Sequence, residues 1–164
     1  MTRRTVSLFL YLPKTREVVI SRRRENQSYP GLFQATAHGG VEEGEDERNA
    51  VTRELMEETS LAIERVEGLR RISTRSFLTM TSKQPMHTFF WLGAIDPRAF
   101  KALKPTAEVS EFYRVTKDQF ATIRKYSQYR DAGRSFLFRE PTMFDDDREV
   151  LATIFENLDG SRNL

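Results

Sequence analysis

Apolar and polar positions along the chain change period several times. Residues 5–12 (TVSLFLYL) are β-branched, aromatic and aliphatic and end at a Pro-Lys turn; residues 17–23 (EVVISRR) resume that character. The pair predicts a β-hairpin. Tyr29-Pro30-Gly31 predicts a turn, because proline presets φ and glycine accepts φ > 0. Residues 32–38 (LFQATAH) predict a third strand. From Asp46 to about Ser60 the chain switches to helix formers, with Val51 and Leu55 four apart on one face. Residues 62–80 and 85–95 again predict strands, broken by Lys-Gln-Pro; the second is dense in aromatics and is expected to be central. A last strand is predicted over 108–115 and helices over 117–126 and 145–158. The order β-β-β-α-β-β-β-α-α predicts an α/β sandwich. No repeat, low-complexity tract or linker interrupts it, so one domain is expected over residues 1–164.

Composition narrows this picture. Of 164 residues, 38% are hydrophobic and 30% charged, which marks a globular chain rather than a disordered one. The formal net charge of +2 does not demand a nucleic-acid partner. Cysteine is absent, which excludes disulfides, zinc-thiolate sites and a cysteine nucleophile and fits a cytoplasmic location. Thr2-Arg3-Arg4 ahead of an apolar run has the outline of a signal peptide. The run is short, stops at Pro13 and lacks a small-residue cleavage site, so it reads as a strand. No segment approaches the roughly 20 apolar residues that span a bilayer, and no membrane partner is expected.

The informative stretch runs from Gly39 to Leu61. Glu54, Glu57 and Glu58 fall at i, i+3 and i+4, so on a helix they share one face. Three adjacent carboxylates repel one another, and hard divalent cations prefer oxygen donors of this kind. Arg53 points roughly 100° away on a helix of about 3.6 residues per turn. It is expected to leave the cluster un-neutralised and to pair with Glu45 across the loop-to-helix junction. Standing alone, a Glu-x-x-Glu-Glu is a solvated helix face, since glutamate is a good helix former.

The wider spacing changes that reading. The stretch resembles the Nudix box: Gly, five residues, Glu, seven residues, Arg-Glu, an aliphatic, one residue, Glu-Glu, one residue, Gly, an aliphatic. Gly39, Glu45, Arg53, Glu54, Leu55, Glu57, Glu58 and Leu61 match, and Ser60 stands where the pattern has its second glycine. Average residue usage produces such a match at one start position on the order of once in ten million. The resemblance implies a Nudix-type α/β/α sandwich with a mixed β-sheet. It implies a Mg²⁺- or Mn²⁺-dependent hydrolase that cleaves the diphosphate linkage of a nucleoside diphosphate derivative or other organic diphosphate, by water attack on phosphorus. Carried over by position, Glu54, Glu57, Glu58 and the Gly39 carbonyl are the metal ligands, and Glu45 and Arg53 a structural ion pair. Glu54, Glu57 or a glutamate outside the box takes the proton from water; Glu108 is the first outside candidate and Glu111 the second. Ser60 adopts φ > 0 less readily than glycine, so the helix exit is expected to differ locally.

Beyond the box, Arg22-Arg23-Arg24 follows the second strand. Guanidinium matches phosphate geometry, and alternation along a strand favours Arg22 and Arg24 as substrate contacts. Arg70, Arg71 and Arg75 read as a solvated basic face. Tyr29, Phe33 and Trp91 could stack on a base, although aromatics at strand spacing are usually core. Tyr29 and His38 join the substrate-contact candidates, and His87 reads as a surface histidine. Asp145-Asp146-Asp147 precede a predicted helix and read as its capping turn.

The flanks YPGLFQATAHGG and EVSEFYRVTKDQF are similar to those of isopentenyl-diphosphate isomerase, itself a Nudix-fold enzyme. That enzyme's essential cysteine falls on His38 here, which favours hydrolysis over isomerisation. An isomerase-like enzyme with altered chemistry and a catalytically silent binding module are the alternatives. A small-molecule diphosphate is the expected partner; capped RNA is permitted by the arginines but not favoured.

Overall fold

The structure, a computed structural model, describes residues 2–78, 83–129 and 134–159. Its elements in chain order are β1 (Arg3–Leu12), β2 (Glu17–Arg23), β3 (Phe33–Gln34), β4 (Ala37–Gly40), α1 (Glu47–Thr59), β5 (Glu67–Leu78), β6 (Pro85–Ala94), α2 (Pro97–Ala102), β7 (Val109–Val115), α3 (Lys117–Phe120), β8 (Arg124–Lys125), β9 (Thr142–Met143) and α4 (Asp145–Asp159). Sheet order is β5-β6-β1-β2-β3-β9-β8, with β4 also paired to β1 and β7 to β2. β1 runs parallel to β6 along Arg3–Tyr11 and antiparallel to β2 and β4, so the sheet is mixed.

Side chains of β1 alternate between two cores, as strand geometry requires. Phe9 packs with Val18, Ile20, Phe90 and Leu92 against Val150, Leu151, Ile154 and Phe155 of α4. Leu8 and Leu10 pack with Val19 and Ala37 against Val51 and Leu55 of α1. The sheet therefore lies between α1 and α4, the α/β architecture expected. Strands buried on both faces explain why β1 and β2 read as nearly continuous apolar runs.

β1 changes partner midway: Thr5–Leu8 pair with β4, and Leu10–Leu12 pair with β2. This fork is why the expected strand over 32–38 divides into β3 and β4. The chain leaves β2 at Gln34 and joins β1 at Ala37. Thr36 fills the fork, its hydroxyl accepting from Leu10 N (2.9 Å) and donating to Val19 O (2.6 Å). A two-sided hydroxyl there replaces ladder bonds that neither strand supplies.

Other boundaries moved for local reasons. The strand expected over 62–80 starts at Glu67, after a 3₁₀ turn at Ile63–Arg65; residues 79 and 80 lie outside the described residues. The helix expected over 117–126 stops at Phe120 despite its Thr116–Gln119 capping box. Phe120 and Ile123 enter the core beside α4, and Arg124 N bonds Pro141 O (2.9 Å), drawing the chain into β8. α2 was not anticipated, although Asp96 as N-cap and Pro97 at the first helical position are its ordinary start signal.

Candidate active site

α1 begins where Asp46 accepts from Asn49 N (2.8 Å) and ends where Ser60, at φ 61°, returns its N–H to Met56 O (3.0 Å). Serine thus adopts the left-handed exit that glycine takes most easily. Between these caps, Val51 and Leu55 anchor the helix to the sheet. That anchoring turns Glu54 and Glu58 inward, to 8% and 4% exposure, and leaves Glu57 outward.

The Glu54 carboxyl rests on the backbone of Gly39. A Cβ at position 39 would stand 1.9 Å from its Cδ and 2.0 Å from Oε1. Glu58 Oε2 accepts from His38 N at 2.9 Å. The glycine-bearing strand β4 therefore faces two of the three helix glutamates at contact distance.

Arg53 does more than the helical angle suggested. Its Nε and Nη2 reach Glu45 Oε1 (3.0 Å) and Oε2 (2.8 Å), and Nη2 also donates to Gly40 O (2.7 Å). Nη1 bends back to Glu54 Oε1 (2.7 Å) and Glu57 Oε2 (3.4 Å). One guanidinium thus ties loop, β4 and helix together. The Glu45 bonds hold Arg53 firmly charged and Glu45 below the usual carboxylate range.

The inward glutamates remain electrostatically uncomfortable. Burial, with the Glu54 and Glu108 charges adding to it, pushes Glu58 up to about 8. Burial also raises Glu54, against the bond from Arg53. Glu108, on the loop before β7, is exposed, and its charge is felt at both. Among the described residues no three carboxylate or histidine groups converge on one point. The donor set nevertheless suits a hard cation: two buried carboxylates beside a glycine backbone, and a third that is exposed and held only by a 3.4 Å contact.

The remaining candidates separate on placement. Arg22 turns away from the glutamates, donating to Gly31 O (3.2 Å) and Phe138 O (3.1 Å). Arg24 donates through Nε to Thr106 O. Arg23 lies between the two arginines that alternation favours, and the charges of Glu58 and Glu108 are felt at its guanidinium. Burial lowers its pKa, while the charges of Glu58, Glu108, Tyr29 and Asp147 act to raise it. Its Nε and Nη1 are held by neutral acceptors, Ser28 O (2.6 Å) and Gln34 Oε1 (3.1 Å), and no carboxylate forms an ion pair with it among the described residues. Val18, Val19 and Ile20 are all buried, so hydrophobicity gave no sign of which face position 23 occupies.

The His38 ring bonds Ser7 through Nδ1 (2.7 Å), and burial pushes it down to about 4, so it is neutral; its backbone serves Glu58. Tyr29 sits at φ 55° in an aromatic cluster, edge-on to Tyr126 (5.5 Å) and Phe144 (5.7 Å). Phe33 packs edge-on to Tyr113 (5.4 Å), and His87 pairs with Ser76 (2.5 Å). Glu111 accepts from the Tyr113 hydroxyl. Arg71 and Arg75 pair with Glu47 (3.1 Å) and Glu149 (3.5 Å), and Arg70 donates to Gly68 O. The three aspartates do open α4, but Asp145 and Asp147 reach outward: Asp145 accepts from Ser127 N (3.0 Å) and buried Asp147 from Ala35 N (2.8 Å). They tie the helix to other segments while standing, as expected, in its acidic first turn.

A mixed sheet between helices, with a glutamate helix laid against a glycine-bearing strand, is the α/β arrangement that the Gly39–Leu61 spacing implied. The NUDIX domain profile matches residues 1–136; the chain belongs to that family and is a Nudix hydrolase. No curated protein matches it. Among solved structures, E. coli dihydroneopterin triphosphate pyrophosphohydrolase is similar at 16% identity and TM-score 0.64, over 94% of this chain and 95% of that one. The NUDIX domain of Shewanella oneidensis NrtR, complexed with ADP ribose, is similar at 16% identity and TM-score 0.61, over 96% and 88%. A bifunctional NMN adenylyltransferase/ADP ribose pyrophosphatase from Francisella tularensis, complexed with AMP and a Mn ion, is similar at 13% identity and TM-score 0.60, over 96% and 42%. Among the described residues no helix is long and apolar enough to cross a membrane.

Proposed function

We propose that this chain hydrolyses the diphosphate linkage of a nucleoside diphosphate derivative or similar organic diphosphate, with Mg²⁺ or Mn²⁺ as cofactor and water attacking phosphorus. The observation that carries the reading is the Glu54 carboxyl seated on Gly39 beside the buried Glu58, which accepts from His38 N. A crowded pair of buried carboxylates costs stability without a cation, and the family supplies one.

Glu54, Glu57, Glu58 and the Gly39 carbonyl would hold the metal. When bound, it would screen the diphosphate charge and acidify water. The protein's own part is positioning. Arg53 fixes loop to helix through Glu45 and Gly40, and Glu57, exposed and held only by a 3.4 Å contact to Arg53, would be available as the third carboxylate ligand. Arg23, held by Ser28 and Gln34 and paired with no carboxylate among the described residues, has charge available for a phosphate oxygen of the substrate. Glu54, Glu57 and Glu108 are the carboxylates that can take the proton from water. The ADP ribose bound by one structural relative makes nucleoside diphosphate derivatives the first substrates to try. Core packing of α4 with β1 and β2 supports a single domain reaching beyond the family match.

The test is a panel of nucleotide sugars, dinucleoside polyphosphates, oxidised nucleotides, coenzymes and capped RNA with each metal. Release of a phosphate-bearing product that requires Mg²⁺ or Mn²⁺ and is lost in Glu57→Gln and Glu58→Gln is expected. Turnover that persists in both variants, or none anywhere on the panel, counts against the reading.

A further inference from the structure

A cavity of about 770 Å³ lies away from the glutamates, where the start of α1 meets the outer strands. Arg4, Gly44, Glu47, Arg48, Arg71 and Trp91 line it. It is a wide groove open to solvent over most of its extent. Arg4, Arg71 and Trp91 come from three adjacent strands and share one sheet face: Leu8, two positions beyond the paired Val6, opposes Trp91, which opposes Arg71.

The charges in the wall are unevenly engaged. Glu45 is spent on Arg53, and Asp46 caps α1 through Asn49 N. Glu47 takes Arg71 through both oxygens (3.1 Å each) and Arg4 at 3.7 Å. One carboxylate therefore serves two guanidiniums, while Arg48 is exposed and has no ion pair among the described residues. Arg4 and Arg71 both lie over the Phe89 ring, at 5.3 and 5.7 Å, which holds them in place with charge to spare. The Nε1–H of Trp91 is buried with no acceptor in the described structure. An atom buried that deeply is out of a ligand's reach, so it is the Trp91 ring, not its N–H, that the wall offers.

We propose that this cavity is a second ligand site, separate from the hydrolytic one, for a mononucleotide-like phosphate ester. Its phosphate lies among Arg4, Arg48 and Arg71, and its aromatic ring against Trp91. The site touches the hydrolytic centre through one residue. Glu45 is part of its wall and also the clamp on Arg53, so an occupant would bear on the loop that positions Glu54.

Trp91 is the sole tryptophan, so its fluorescence reports the site directly. AMP is titrated into metal-free protein in EDTA, with adenosine and inorganic phosphate as separate arms. A saturable change with AMP, weaker for either fragment, is expected. It should weaken at least tenfold in Arg48→Gln and Arg71→Gln and be unchanged in Arg23→Gln, which lies at the hydrolytic site. Arg48→Gln decides the matter if Arg71→Gln does not fold, because the exposed Arg48 side chain makes no ion pair among the described residues. The absence of a saturable change, or a change lost in Arg23→Gln and kept in Arg48→Gln, overturns the proposal.

Discussion

Position 39 is glycine because the Glu54 carboxyl occupies the space a side chain would take. The obstructed atoms are the end of a flexible side chain, so Gly39→Ala should displace the carboxyl without unfolding the protein. Its melting temperature should stay close to wild type while hydrolysis falls by about two orders of magnitude, the scale of misplacing a catalytic group. Equal losses of stability and activity would show that the glycine serves the backbone instead. Ser60 presents the opposite case. A left-handed conformation costs an L-residue about 1 kcal/mol, partly offset in glycine by its freer unfolded chain. Ser60→Gly should therefore add about 0.5 kcal/mol and raise the melting temperature by about 1–2 °C, with activity unchanged. A lower melting temperature would mean that the serine hydroxyl does something the backbone argument omits.

At the scale of elements, the end of β2 divides its arginines between two tasks. Arg22 stitches the strand to the 31 and 138 carbonyls, and Arg23 is held by Ser28 O and Gln34 Oε1 within the field of Glu58 and Glu108. The two should respond differently to loss of the fork-shaped guanidinium. Arg23→Lys should raise KM or lower kcat at least tenfold with little change in melting temperature. Arg22→Ala should lower stability by about 1–3 kcal/mol, the loss of two side-chain bonds to backbone carbonyls, with kinetics per folded molecule preserved. Calorimetry beside steady-state kinetics on both variants separates these outcomes; matching profiles would remove the distinction.

For the molecule as a whole, the buried carboxyls link folding to protons and metal. Burial pushes Glu58 up to about 8 and Asp147 to about 7, above their ordinary values of 4.5 and 3.8. The folded metal-free protein holds protons that the unfolded chain has released. These groups therefore contribute fully below their ordinary values, and the contribution is lost as pH rises through 7 and 8. In EDTA, the urea midpoint of the wild type should fall from pH 6 to pH 9 relative to Glu58→Gln. Mn²⁺ should raise the wild-type midpoint more at pH 8.5 than at pH 6, because binding displaces a proton. Parallel curves for wild type and Glu58→Gln would show that this carboxyl does not titrate in the folded state.

What could be read from residue order alone is what local chemistry and fixed spacing dictate. The i, i+3, i+4 glutamates, the Asp46 start of α1 and the two-period apolar runs all act over a few bonds, so their elements are where the pattern puts them. The family spacing from Gly39 to Leu61 is legible for the same reason. Tertiary structure decided what depends on the partner. The fork in β1 broke one expected strand into two, core burial of Ile123 ended a helix early, and a register shift between Arg22 and Arg23 interrupted the alternation on which the arginine reading rested. Gly39 belongs to both accounts: its place in the pattern is sequence, and the Glu54 carboxyl resting on it exists only once α1 has docked on the sheet.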